Sequence, residues 1–148
     1  MNQNSPVKRR ASGFSLIELL IVVAIIGIVA AIAVPSLLNS KQAAHNASAL
    51  GSLKLIHSAQ IAYRTRMPQF GNLTDLGNAN TLTDPLLKTG NKSNYVFVIN
   101  QATLTADNFE VTASPTVSPW RFYYMDGSGV IRSNLGSAAN VSHPPVNY

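Results

Sequence analysis

From Leu19 to Val34 the chain runs through sixteen consecutive apolar or glycine residues, and Pro35 and Ser36 are the only breaks before Leu37 and Leu38. No soluble amphipathic element is apolar all round over such a length, and about 20 residues at 1.5 Å rise match a hydrocarbon core of about 30 Å. The pattern therefore predicts a membrane-competent helix. After Pro35 the period changes character: Ala49, Leu53, Ile56 and Tyr63 recur at helical spacing with Leu50 on the flank, which predicts an amphipathic continuation. This helix is expected to end near Arg66-Met67, because the residue before Pro68 is pushed out of the α region.

Pro68 to Asn94 is punctuated by Gly71, Asn72, Gly77, Asn78, Asp84-Pro85 and Gly90-Asn91, and reads as loop. The paired Leu-Thr-Asp sequences ending at Asp75 and Asp84 read as turn or capping chemistry. Beyond Asn94 alternation replaces the helical period. Tyr95/Phe97/Ile99, Phe109/Val111/Ala113 and Trp120/Phe122/Tyr124 are expected on single strand faces. The run Asp126-Gly127-Ser128-Gly129 is expected to turn the chain into a fourth strand, Val130-Ile131-Arg132. The sum is an α+β chain: a long helix over 14–66, its 14–38 half membrane-competent, then a head over 67–148. Within the head fall a loop region at 67–94, an antiparallel sheet of about four strands at 95–133, and a tail at 134–148.

Charge sharpens the reading of the N-terminus. Lys8, Arg9 and Arg10 precede the apolar run and should hold the short N-terminal side in the cytoplasm. A signal anchor fits these residues, and so does a cleaved signal peptide ending at Ala31-Ile32-Ala33. Glu18 bears on the choice, since a carboxylate near hydrocarbon is costly and no Lys or Arg lies between Phe14 and Ser40. Its remaining candidate partner is an α-amine made by cutting just upstream.

The stretch Lys8 to Pro35, with Gly13-Phe14 and Glu18 at its centre, resembles the N-terminus of the bacterial type IV pilin family, which includes the pseudopilins of type II secretion. The resemblance implies the pilin fold and a leader of residues 1–13. It also implies cleavage by prepilin peptidase between Gly13 and Phe14, N-methylation of Phe14, and charge pairing of Glu18 with the Phe14 amine of a neighbouring copy. Gly27 and Pro35 would be the stretch that loosens on assembly, although Pro35 also reads as a plain kink. The implied partners are further copies of the chain, prepilin peptidase, an inner-membrane assembly platform and, before assembly, inner-membrane lipid; the implied destination is an extracellular filament.

The rest of the composition narrows function by exclusion. There is no Cys, hence no disulfide, thiol nucleophile or cysteine-type metal site. With the three leader cations set aside, eight basic residues face six acidic ones and are scattered, so contact with DNA or a surface is a minority reading, centred on Arg64, Arg66, Lys88 and Lys92. His45 and His57 lie about 120° apart on one helix, and no nucleophile, phosphate-cradling or paired-carboxylate pattern stands out, so no enzyme activity and no cofactor are expected. A calcium role for Asp126 competes with a simple hairpin turn, which one carboxylate suits better. Three functions stay open: a pilus subunit for motility, adhesion or DNA uptake, a type II secretion pseudopilin, and a minor pilin or membrane-anchored binding module.

Overall fold

The computed structural model describes residues 13–147, and the chain divides into two compact units, Met1–Asn39 and Ser40–Tyr148. Lys8, Arg9 and Arg10 lie outside the described residues. Helix α1 spans Leu16–Arg64 and contributes to both units, beginning two residues later and ending two residues earlier than the sequence pattern suggests. Its apolar window has a mean hydropathy of 3.0 with none of it buried, and this is the one helix among the described residues long and apolar enough to cross a membrane.

In the second unit α1 buries Ala49, Ser52, Leu53, Ile56, Ala59 and Gln60. Ala49, Leu53, Ile56 and Ala59 share one core cluster with residues of a five-stranded antiparallel sheet whose strands lie in chain order: β1 (Asn91–Lys92), β2 (Tyr95–Ile99), β3 (Glu110–Pro115), β4 (Arg121–Asp126) and β5 (Ile131–Leu135). The α+β architecture matches the sequence expectation, with one strand more. The extra member, β1, is too short for alternation to show. It is joined to β2 through Ser93-Asn94, both with positive φ (52° and 60°), the two-residue hairpin geometry that fits the twist of paired strands.

Two sheet faces lie as the pattern predicts: Tyr95, Phe97 and Ile99, and Phe109, Val111 and Ala113, are all buried in one core cluster with Leu53 and Ile56. On β4 the expected face is corrected. Tyr123 and Met125, rather than Phe122 and Tyr124, join the core, because Ala113 pairs with Tyr123 and Val111 with Met125, and residues directly opposite share a face. Trp120 does pack at the margin of the core, stacked on His45 with ring centroids 5.0 Å apart. Tyr124 is buried on the opposite face, where its hydroxyl donates to Glu110 Oε1 at 3.0 Å; burial, then that hydrogen bond, pushes its pKa up to about 12.

The 67–94 region is more regular than its turn residues suggest. It holds α2 (Leu73–Asn78) and α3 (Pro85–Lys88), each opened by a side-chain cap. Asn72 Oδ1 accepts from Asp75 N while Asp75 Oδ2 accepts from Asn72 N, a reciprocal capping box. Asp84 Oδ1 accepts from the amides of Leu86 and Leu87, so both aspartates do the capping work their positions implied. This segment is clamped to α1 by the fully buried Gln60, whose Nε2 donates to Gly71 O at 2.6 Å and whose Oε1 accepts from Gly71 N at 3.0 Å.

The tail is held by two backbone bonds and one from a side chain. Val146 N donates to Ile131 O at 2.8 Å, Ser133 N to Pro144 O at 3.3 Å, and Arg132 Nη1 to His143 O at 3.0 Å, which lays the tail along the free edge of β5.

Candidate functional site

The sequence concentrates its unusual features at the start of α1. Gly13, Phe14 and Ser15 are non-helical and exposed, with Phe14 83% accessible. Ser15 stands immediately before α1, and Glu18 lies in the first helical turn, where its Oε2 accepts from Ser15 N at 2.9 Å. Ser15-x-x-Glu18 is thus half of a capping box, a spacing legible in the sequence itself. The bond takes up one of the amides left free at a helix start, and a carboxylate in this place is favoured by the helix dipole.

From Gly13 to Ser40 Glu18 is the only charged side chain, and Lys41 is the first cation after it. The apolar side chains of this unit are open on all sides; Leu16, Ile17, Leu20, Ile26 and Ile28 are each more than 60% exposed. Such a surface requires lipid or other helices around it. At Gly27 a Cβ would meet nothing within 4 Å, and Pro35 sits inside α1 without ending it.

The second unit has its own open helix face. Ala44, Ala47, Gly51, Leu55, Ser58 and Ile61 are exposed at helical spacing, with Leu55 and Ile61 nearly half accessible and Lys54 the one charge among them. Small residues on such a face permit close backbone approach by another helix.

The three histidines are separate: His45 stacks on Trp120, His57 lies against Phe109 with centroids 6.1 Å apart, and His143 Nδ1 is 2.8 Å from Asn140 Oδ1. No cluster of three or more His, Asp or Glu side chains occurs among the described residues. Asp126 Oδ1 accepts from the Ser128 amide at 2.9 Å and from the Ser128 hydroxyl, which is turn chemistry. Of the four candidate DNA-contact cations, two are engaged within the fold: Arg64 Nε donates to Ala106 O at 2.8 Å, and Lys92 pairs with Asp84 at 2.5 Å.

The described residues thus comprise an exposed apolar helix with a single carboxylate in its first turn and, in the second unit, a helix packed on an antiparallel sheet. Residues 8–34 match the family model of the prokaryotic N-terminal methylation motif. The chain is 38% identical over 66 residues to the type IV major pilin protein PilA of Myxococcus xanthus, covering 45% of this chain and 30% of the relative. It is also 37% and 40% identical, over 57 residues in each case, to the type II secretion system core protein G of Aeromonas hydrophila and of Pseudomonas aeruginosa, covering 38% of this chain and 40% of each relative. The matches therefore span well under half the length of these curated relatives. Motif and relatives together support the type IV pilin and pseudopilin family, in agreement with the resemblance of Lys8 to Pro35.

Proposed function

We propose that the chain is a structural subunit of a type IV pilus, inserted in the inner membrane, processed at its N-terminus and polymerised through α1 into an extracellular filament. The observation that carries this reading is Glu18: one carboxylate at the entrance of an otherwise uncharged apolar helix, four residues after Phe14, inside a methylation motif.

Hydrolysis of the Gly13–Phe14 bond by prepilin peptidase removes Lys8, Arg9 and Arg10 and creates an α-amine that is mostly protonated at neutral pH before methylation. Without those three cations the helix start is free to leave the cytoplasmic face. The amine of one copy then meets Glu18 of another. A misaligned neighbour leaves a charge buried alone, so the pair selects register more than it adds net stability. Gly27 and Pro35 supply the local weakness that lets the segment adjust on entry, and the small-residue face from Ala44 to Ile61 supplies a second stretch for helix packing between copies.

A pseudopilin role is the second reading, favoured by the two core protein G relatives. Shearing cells and identifying the protein that makes up the fibres separates the two: a pilus subunit is the abundant component of long surface fibres, whereas a pseudopilin is absent from them and its loss blocks secretion.

A further inference from the structure

Within the second unit, α1 enters over the end of the sheet where β2 begins and β3 passes into β4. His45 stacks on Trp120 with ring centroids 5.0 Å apart, Asn46 Oδ1 accepts from the Tyr95 hydroxyl at 2.8 Å, and the Ser48 and Ser93 hydroxyls lie 2.8 Å apart. Lys41 is exposed one turn before His45, on the same side of α1. From the sheet, the connection between β3 and β4 brings Val117, 44% exposed, and the exposed Arg121 follows Trp120 at the first position of β4. Trp120 N donates to Val117 O, which folds this connection back on itself. These residues make one patch: a half-buried tryptophan with an exposed valine and two cations, Lys41 and Arg121, beside it.

The chain itself ties this patch to the apolar run. That run ends at Leu38, and Lys41 and His45 follow it in the same helix. At 1.5 Å per residue Lys41 stands about 5 Å and His45 about 10 Å further along α1. The headgroup layer of a bilayer is about 5–8 Å deep on each side of its hydrocarbon core. A span that ends at Leu38 therefore carries Lys41 at headgroup level and His45, with the Trp120 ring stacked on it, at the outer margin of that layer. Tryptophan favours this zone because its ring is apolar and its indole N–H stays wet, and a lysine stem can lie along apolar surface while its ammonium remains among the headgroups.

We propose that Lys41, Val117, Trp120 and Arg121 form a seat by which the head rests on anionic phospholipid headgroups while the chain is in the membrane. The two cations meet lipid phosphates, and Trp120 and Val117 enter the interface between them. A second head seated face to face on this patch would set like charges against each other, whereas lipid phosphates complement both cations. The inference rests on the membrane-inserted stage proposed above and names the partner of the head at that stage. Leaving the bilayer then requires lifting this seat, so the contact is one that extraction into a filament must break.

Trp120 is the only tryptophan in the chain, so its fluorescence reads this patch alone. The test reconstitutes the full chain in vesicles of phosphatidylglycerol and phosphatidylcholine, the latter brominated either near the headgroup or near the acyl chain end, with flotation of the vesicles as a check on insertion. Bromines near the headgroup are expected to quench Trp120 strongly, and those at the chain end weakly. Lys41→Gln and Arg121→Gln are each expected to lower the ratio of seated to free heads about fivefold, and added salt should act in the same direction. Both side chains are exposed, so the melting curve of the head should stay that of wild type. A chain that floats with the vesicles while its Trp120 escapes the shallow bromines, or is quenched as strongly in both variants, would overturn the proposal and leave the membrane reading standing. Protection of Trp120 that tracks protein density rather than lipid would mark a contact between copies and overturn it too. A chain that does not float would overturn both.

Discussion

Replacing Gln60 with Leu removes the clamp between α1 and the first turn after it while nearly conserving volume. Gln60 is fully buried, and its two hydrogen bonds satisfy both the N–H and the C=O of Gly71, itself buried. Leucine would bury comfortably but leave both backbone groups of Gly71 without partners. At about 1–3 kcal/mol for each buried unsatisfied group, the loss is about 2–5 kcal/mol after some return from apolar burial. Gly71 cannot drift away to find water cheaply, because it already approaches Tyr63 and Asp75 so closely that a Cβ would lie 2.9 Å from Asp75 Cβ. Against a total stability of about 5–15 kcal/mol this is a large fraction, and it should lower the melting temperature of the head by roughly 8–20 °C. Circular dichroism melts of Gln60→Leu beside Gln60→Glu and wild type measure it. A Gln60→Leu protein that melts within about 2 °C of wild type would refute the reasoning, since in a chain without disulfides this clamp is assigned the fastening of the 67–94 segment.

Other expected outcomes follow from single features of the head and the helix start. Gly129 has φ of 75° and a Cβ there would lie 2.9 Å from His57 Nε2, so Gly129→Ala should cost about 1–3 kcal/mol in a denaturant melt; an unchanged midpoint would count against the turn geometry. The Lys92 hydrogen bond, then the Leu87 amide, holds the Asp84 carboxyl below its ordinary pKa. Its share of stability is therefore present above the unfolded value and is lost as pH falls through the lowered folded one. Asp84→Asn, which keeps a capping oxygen, should flatten that acid limb of the pH–stability curve, and an unaltered limb would contradict it. Glu18→Ala should still insert and lose its leader but yield few or no fibres by shearing and electron microscopy; normal fibre yield would remove the register argument.

Long-period features of this chain are legible in its sequence, whereas short or two-sided ones are not. Sixteen apolar residues cannot hide, and alternation places Tyr95, Phe97 and Ile99 correctly because polar or smaller residues separate the large ones from their neighbours. In Trp120 to Met125 nearly every residue is large and apolar or aromatic, so alternation carries no phase, and only pairing with Val111 and Ala113 decides which face is inward. Helices α2 and α3 are shorter than a detectable period, though Asn72-x-x-Asp75 and Asp84-Pro85 mark their starts. Gln60 and Ser52 are polar residues on the buried stripe, which composition would assign to the surface; Gln60 is inside because a backbone turn needs its amide. At the helix start the sequence exposes Glu18 as anomalous, and the spacing Ser15-x-x-Glu18 marks the capping bond that the structure forms there.

Mass spectrometry of the N-terminal peptide of protein recovered from cells bears most directly on the helix entrance. A chain beginning at an N-methylated Phe14 is the predicted result. A chain beginning at Val34, or one still carrying Lys8, Arg9 and Arg10, would contradict the account.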